Sequence, residues 1–263
     1  MVGQVKLLQL IDRYIDTGTL PRTLLFEGDY GCGKHTVTSY ISEKLGLPVL
    51  DITETLSLEV LEQITLKPVP QIYLINSSSI SVKEQNMILK FLEEPLKNSY
   101  IIILAETKTQ LLNTVINRCV SLSFEKYTKE ELLEFCTSSN TDILEFADTP
   151  GRVRLFEQHP VTEMKSFCEK IFLQISIANY SNILTIPNRI NFKDNDKLFD
   201  FNVFVFVLIH VAMNLYIKGM IPYKAYLVTD EFYNDTKIPH INKLQLFEHY
   251  LFRLKLVYEE ASK

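Results

Sequence analysis

The nine residues Gly28–Thr36, "GDYGCGKHT", constrain this chain more than any other stretch. They follow the apolar run "TLLFE" and lead into "HTVTSYISEKLG", a segment suited to a helix ended by Gly46. Strand, glycine-rich turn and helix in that order are what a phosphate-binding loop requires. In the pattern G-x-x-x-x-G-K-[ST], successive backbone N–H groups surround the phosphates, the lysine neutralises their oxygens, and the hydroxyl holds Mg²⁺. Gly28, Gly31, Gly33 and Lys34 meet the first two demands. His35 stands where the hydroxyl belongs, and imidazole is a poor ligand for a hard, oxygen-preferring ion. Thr36 completes this degenerate set, but it lies one residue further on, roughly 100° around the helix, and does not simply replace the missing group.

A second acidic site would normally sit at the end of a neighbouring strand, where Asp or Asp-Glu holds magnesium and polarises the attacking water. Here the apolar, β-branched run "QIYLIN" ends in Asn76, Ser77 and Ser78. Neither an amide nor a hydroxyl supplies the negative charge or serves as general base at neutral pH. Two magnesium-holding groups are therefore lost together, and hydrolysis by this chain's own loop is not expected.

Around the loop, strand-like runs ("LPVLDI", "QIYLIN", "SYIIILAE", "VSLSF") alternate with helical ones ("SLEVLEQI", "SVKEQNMILKFLEEP", "TQLLNTVINRC"), after an N-terminal amphipathic helix "VKLLQLIDRYID". In "SVKEQNMILKFLEEP", Ser81 followed by Glu84 predicts a capping box and Pro95 a stop. Strands that are apolar throughout predict a parallel sheet covered on both faces. Near Tyr127 the pattern changes to three short helices, "TKEELLEFCTS", "DILEFAD" and "GRVRLFEQ", and from about Thr162 the chain is helical, with Ile186–Asp196 as a linker-like interruption. Since 263 residues exceed the usual single-domain length, the expected division is an α/β core over 1–126, a small helical lid over 127–161 and an all-helical domain over 162–263.

Composition excludes several classes. Hydrophobic residues at 46% and charged residues at 22% are those of a globular chain. Cys32, Cys119, Cys136 and Cys168 are scattered without a C-x-x-C pair, so neither zinc module nor disulfide framework is expected, and a reducing cytoplasm fits. His159, His210, His240 and His249 have no metal-ligand spacing, and no metal site is expected. "FNVFVFVLIHVAMNLYI" is interrupted by Asn202, His210 and Asn214 and predicts a buried helix, not a membrane span. A net charge of -5 gives no global basic footprint, so any contact with nucleic acid would depend on a local patch or on partners.

Five segments in order resemble the clamp-loader branch of the AAA+ superfamily, and specifically its delta-prime-like subunits of DNA polymerase III. "LPRTLLFEGDYGCGK" resembles the entry into that family's phosphate loop, and "QNMILKFLEEP" its helix ending in Leu-Glu-Glu-Pro. "IIILAETKT" is similar to the sensor-1 strand, "INRC" to the Ser-Arg-Cys segment and "FADTPGRVRLF" to the start of the sensor-2 helix. The likeness runs from Val5 to Phe156. Asn117 departs from the serine of Ser-Arg-Cys, and the cysteine-rich zinc module that often follows the loop is absent.

The resemblance implies an AAA+ core, a lid, and a collar-like C-terminal domain through which subunits form a hetero-pentameric ring. It implies other clamp-loader subunits, the sliding clamp and, through the complex, primer-template DNA as partners, with no membrane association. It implies that Arg118 is an arginine finger offered in trans to a neighbouring ATP site, that Thr107 occupies the sensor-1 position and that Arg152, or the nearby Arg154, occupies sensor 2. No cofactor would be required; ATP or ADP bound weakly without Mg²⁺ is the most the loop would take. A weak but genuine ATPase and an AAA+-derived adaptor binding DNA or protein are the alternatives.

Overall fold

The computed structural model describes residues 3–94, 96–137, 141–175, 177–191, 199–236, 238 and 241–261. They form two compact units: Met1–Phe135 with Asp148–Arg152, and Cys136–Ala147 with Val153–Lys263.

In the first unit, α1 (Val5–Asp16) leads to β1 (Thr23–Glu27), α2 (Lys34–Leu45), β2 (Val49–Asp51), α3 (Leu58–Leu66) and β3 (Ile72–Asn76). Then come α4 (Val82–Met87), α5 (Leu89–Glu93), β4 (Tyr100–Ala105), α6 (Asn113–Ile116), β5 (Val120–Ser123) and α7 (Lys129–Leu133). The five strands pair in parallel in the order β2-β3-β4-β1-β5. Because side chains alternate across a strand, the apolar runs feed two separate layers. Leu24, Phe26, Ile72, Leu74, Ile102 and Leu104 face one layer with Leu7 and Ile11 of α1 and Val37 and Ile41 of α2. Leu25, Tyr73, Ile75, Ile101 and Ile103 face the other, with Leu61 of α3, Ile88, Phe91 and Leu92 beside them, and Val115 of α6.

The segment predicted as one helix from Ser81 is capped as expected: the Ser81 hydroxyl accepts from the Glu84 N–H, and the Glu84 carboxylate accepts from the Ser81 N–H at 2.6 Å. It is two short helices, however, joined at Ile88, which is fully buried. Pro95 lies outside the described residues, as do residues 192–196 of the predicted linker.

α8 (Pro150–Glu157) begins in the first unit and ends in the second. The second continues through α9 (Val161–Gln174), α10 (Tyr180–Ile183), a two-residue parallel pairing of β6 (Ile190–Asn191) with β7 (Phe199–Asp200), α11 (Phe201–Ile217), α12 (Tyr223–Asp235) and α13 (Lys243–Ala261). The apolar run at 201–217 is the helix α11, and nine of its side chains are buried. Phe204 meets Phe247 edge to face at 5.5 Å, and Phe232 stacks on Tyr250 at 4.5 Å. Among the described residues, no helix is long and apolar enough to cross a membrane.

Candidate functional site: the glycine loop and the Arg118 edge

The glycine loop leaves the C-terminal end of β1, the strand flanked by β4 and β5. Parallel sheets place ligands beyond the carboxyl ends of their strands. Gly31 and Gly33 adopt φ of 74° and 102°, values that disfavour any residue with a Cβ. Gly33 is the N-cap of α2, so the first free N–H groups of that helix open onto the loop.

Three successive loop carbonyls are held from outside. The Thr149 hydroxyl donates to Tyr30 O at 2.8 Å, the Gly151 N–H donates to Gly31 O at 3.0 Å, and the Tyr127 hydroxyl donates to Cys32 O at 2.8 Å. The Lys34 ammonium arches back over the loop, donating to Gly28 O and, at 3.0 Å, to Asp29 O. The Gly28 N–H in turn donates to Ala105 O at the end of β4. Gly28, Gly31, Gly33 and Lys34 are thus brought together in a curled loop. Burial pushes the Cys32 thiol up despite the nearby Lys34.

His35 and Thr36 are both exposed on the first turn of α2. At the end of β3, Asn76 turns its side-chain oxygen onto its own chain, accepting from the Ser78 N–H at 3.2 Å and the Ser78 hydroxyl at 2.9 Å. That oxygen caps a 3-10 turn. A carboxylate is linked to this strand end through Thr53, whose hydroxyl accepts from the Asn76 N–H at 2.9 Å and donates to Asp51 at 2.6 Å. Asp51, Glu54, Asn76 and Ser79 line a cavity of about 360 Å³. Sequence reasoning missed Asp51, because it ends a different strand from the one that usually carries the acid.

Thr107 follows the end of β4 and is exposed, its hydroxyl 2.6 Å from that of Thr109. Glu27, also unforeseen, sits at the end of β1 and pairs with the Lys108 ammonium at 3.2 Å while accepting from the Lys108 N–H at the same distance. Arg152 pairs with Asp148 one turn earlier, and its N–H donates to the Thr149 hydroxyl. Gln110 ties the β4 end to the β3 end, accepting from the Ser77 hydroxyl and the Glu106 N–H, both at 3.0 Å. His240 lies outside the described residues, and no cluster able to hold a metal ion occurs among those described.

Arg118 is not brought to this loop. The Thr23 hydroxyl, at the start of β1, donates to Arg118 O at 2.6 Å. The loop begins only after Glu27 ends that strand, so about 3.3 Å of rise per residue puts roughly 16 Å between Arg118 and the glycine loop. Its guanidinium turns to Glu93 at the end of α5.

A five-stranded parallel sheet in this order, with a glycine loop after the interior strand β1 and a helical C-terminal region, is an AAA+-like fold. Among solved structures, a DNA polymerase III gamma subunit-related protein from Thermotoga maritima superposes with a TM-score of 0.55 at 13% identity, over 96% of this chain and 99% of that one. A RuvB variant from Thermotoga maritima superposes at 0.54 and 18% identity, over 96% and 89%. In sequence, the model of the family described as DNA polymerase III, delta subunit, matches residues 51–128. DNA polymerase III subunit delta′ of Bacillus subtilis (strain 168) is 33% identical over 69 residues, 24% of this chain and 21% of that protein. The chain therefore matches about a fifth of that relative's length. The chain is thus similar in sequence to DNA polymerase III delta′-type subunits, through residues 51–128 for the family model, and similar in fold over nearly its whole length to the gamma subunit-related and RuvB structures.

Proposed function

We propose that this chain is a delta-prime-like clamp-loader subunit without hydrolysis of its own, which acts as a stator and offers Arg118 to the ATP site of a neighbouring subunit. The position of Arg118 carries this reading. An arginine beside the N-terminal ends of β1 and β5, at the opposite end of the strands from the glycine loop, cannot reach phosphates in its own loop, yet it is partly exposed to whatever packs there. A guanidinium in that role stabilises charge on a transferring phosphoryl group. The exposed His35 and the Asn76 oxygen, engaged by Ser78, support the inactive half of the reading, since neither offers Mg²⁺ an anionic or hydroxyl oxygen. Other clamp-loader subunits, a sliding clamp and primer-template DNA are the corresponding partners.

The isolated chain is expected to release phosphate from ATP, with excess Mg²⁺, no faster than its Lys34→Ala variant. A robust rate abolished by Lys34→Ala would instead favour a weak ATPase, with Asp51 acting through Thr53 as the obvious source of the missing charge. Nucleotide binding measured by calorimetry is expected to be weak and nearly indifferent to Mg²⁺, because the N–H groups and Lys34 attract phosphate without a metal. In a complex reconstituted with its cognate subunits, Arg118→Ala should lower clamp-stimulated ATP hydrolysis in part while leaving assembly intact. Arg118→Lys should not restore it, an ammonium lacking the planar fork. Unchanged turnover in an assembled Arg118→Ala complex would leave the chain a purely architectural subunit.

A further inference from the structure

We infer that Glu93 is the positioning residue for Arg118, fixing one edge of its guanidinium so that the other edge is presented to an incoming phosphoryl group. This rests on the trans role proposed for Arg118. The arginine backbone is already held at both ends: its N–H donates to Val115 O at 3.1 Å and its carbonyl accepts from Thr23. The side chain is then held at three points. Nε donates to Glu93 Oε1 at 2.9 Å, Nη2 donates to the same oxygen, and Nη1 donates to Thr114 O at 2.7 Å. A guanidinium has five N–H donors in a rigid fork. These contacts use three and leave one N–H on each terminal nitrogen, the pair that can span two oxygens of a phosphoryl group.

Glu93 is itself well mounted. It ends α5 directly after Phe91 and Leu92, which are 5% and 3% exposed and belong to the same packed layer as Val115 of α6. Both partners of the ion pair therefore ride on one rigid layer. The pair contributes little to stability, because the Arg118 and Glu93 side chains are 32% and 50% exposed and solvent screens them. What it does is remove rotamer freedom from a long side chain before a partner arrives, and catalysis by a positioned group depends steeply on such placement.

The test uses the reconstituted complex of this chain with its cognate clamp-loader ATPase subunits, and reads clamp-stimulated hydrolysis as kcat and KM separately. Glu93→Ala should assemble normally, melt within a degree or two of wild type as an isolated chain, and lower kcat roughly threefold with KM unchanged, the loss being partial because other sites in the complex continue to turn over. Glu93→Gln, which keeps an oxygen at the same reach, should recover most of the rate. In an Arg118→Ala background, Glu93→Ala should cost nothing further. If Glu93→Ala fails to assemble, Glu93→Asp carries the test, since it draws the carboxylate back by one methylene and must also slow turnover. A wild-type or faster rate for an assembled Glu93→Ala complex, where Arg118→Ala is slow, overturns the positioning role and leaves the trans arginine standing. A loss from Glu93→Ala that persists without Arg118 overturns it too. A wild-type rate for Arg118→Ala removes the trans reading and this inference together.

Discussion

At the scale of single residues, the tightest contact at the glycine loop is between two glycines. A Cβ built on Gly31 would lie 2.6 Å from the Gly151 Cα, and one built on Gly151 would lie 2.4 Å from the Gly31 Cα. Both obstacles are backbone, which cannot swing aside as a long side chain would. Gly151→Ala should therefore force the 148–152 segment away from the loop and destabilise the chain by about 1–3 kcal/mol, the usual cost of overpacking. Gly31→Ala should cost more, because its positive φ adds strain of about 1 kcal/mol. Urea denaturation followed by circular dichroism checks both. A Gly151→Ala chain as stable as wild type would mean that the backbone contact is not a constraint.

At the scale of elements, the capping boxes are where sequence and structure agree most closely. Ser81 with Glu84 forms as its spacing predicts, and Thr128 with Glu131, which sequence reasoning did not single out, has the same spacing and the same geometry. Ser81→Ala should destabilise by about 1 kcal/mol. The Ser81 N–H, and then its hydroxyl, hold the Glu84 carboxyl below the usual carboxylate range. A carboxyl with a lowered folded pKa stabilises above its unfolded value and loses that contribution as pH falls through the folded one. The stability gap between wild type and Glu84→Gln should thus be full at neutral pH and close as pH falls below about 4. A gap independent of pH would exclude the carboxylate as its source. These caps are legible because every partner lies within four residues. The curl of the glycine loop is legible for a similar reason, because Gly28, Gly31, Gly33 and Lys34 lie close together in sequence. The break at Ile88 is not, because "NMILKF" carries no Gly or Pro to mark it. Nor is the Glu93–Arg118 pair, 25 residues apart in sequence. Its geometry exists only once α5 and α6 are packed side by side. Asp51 was invisible for a related reason: nothing local says that β2 lies beside β3 or that Thr53 bridges their ends.

At the scale of the whole molecule, the chain passes between its two units three times, and five residues, Asp148–Arg152, belong to the first unit although both flanks belong to the second. Thr149 and Gly151 explain this allegiance, since each donates a hydrogen bond to a carbonyl of the glycine loop. If the two units are stabilised by separate cores, a core defect in one should not loosen the other. Phe247 is fully buried in the second unit, against Phe204, Phe232 and Tyr250. Phe247→Ala should cost about 3–5 kcal/mol. Native-state amide exchange of the full chain should then show α11, α12 and α13 opening more readily, while β1 and β4 keep their protection. Ile103→Ala, on the central sheet, should do the reverse. The informative amide is that of Gly151, whose N–H is bonded to Gly31 O. It should keep its protection in Phe247→Ala and lose it in Ile103→Ala, following the sheet and not its sequence neighbours. If Gly151 exchanges faster in Phe247→Ala, the brace on the glycine loop depends on the helical unit. The loop would then report on that unit's integrity and would not stand independently of it.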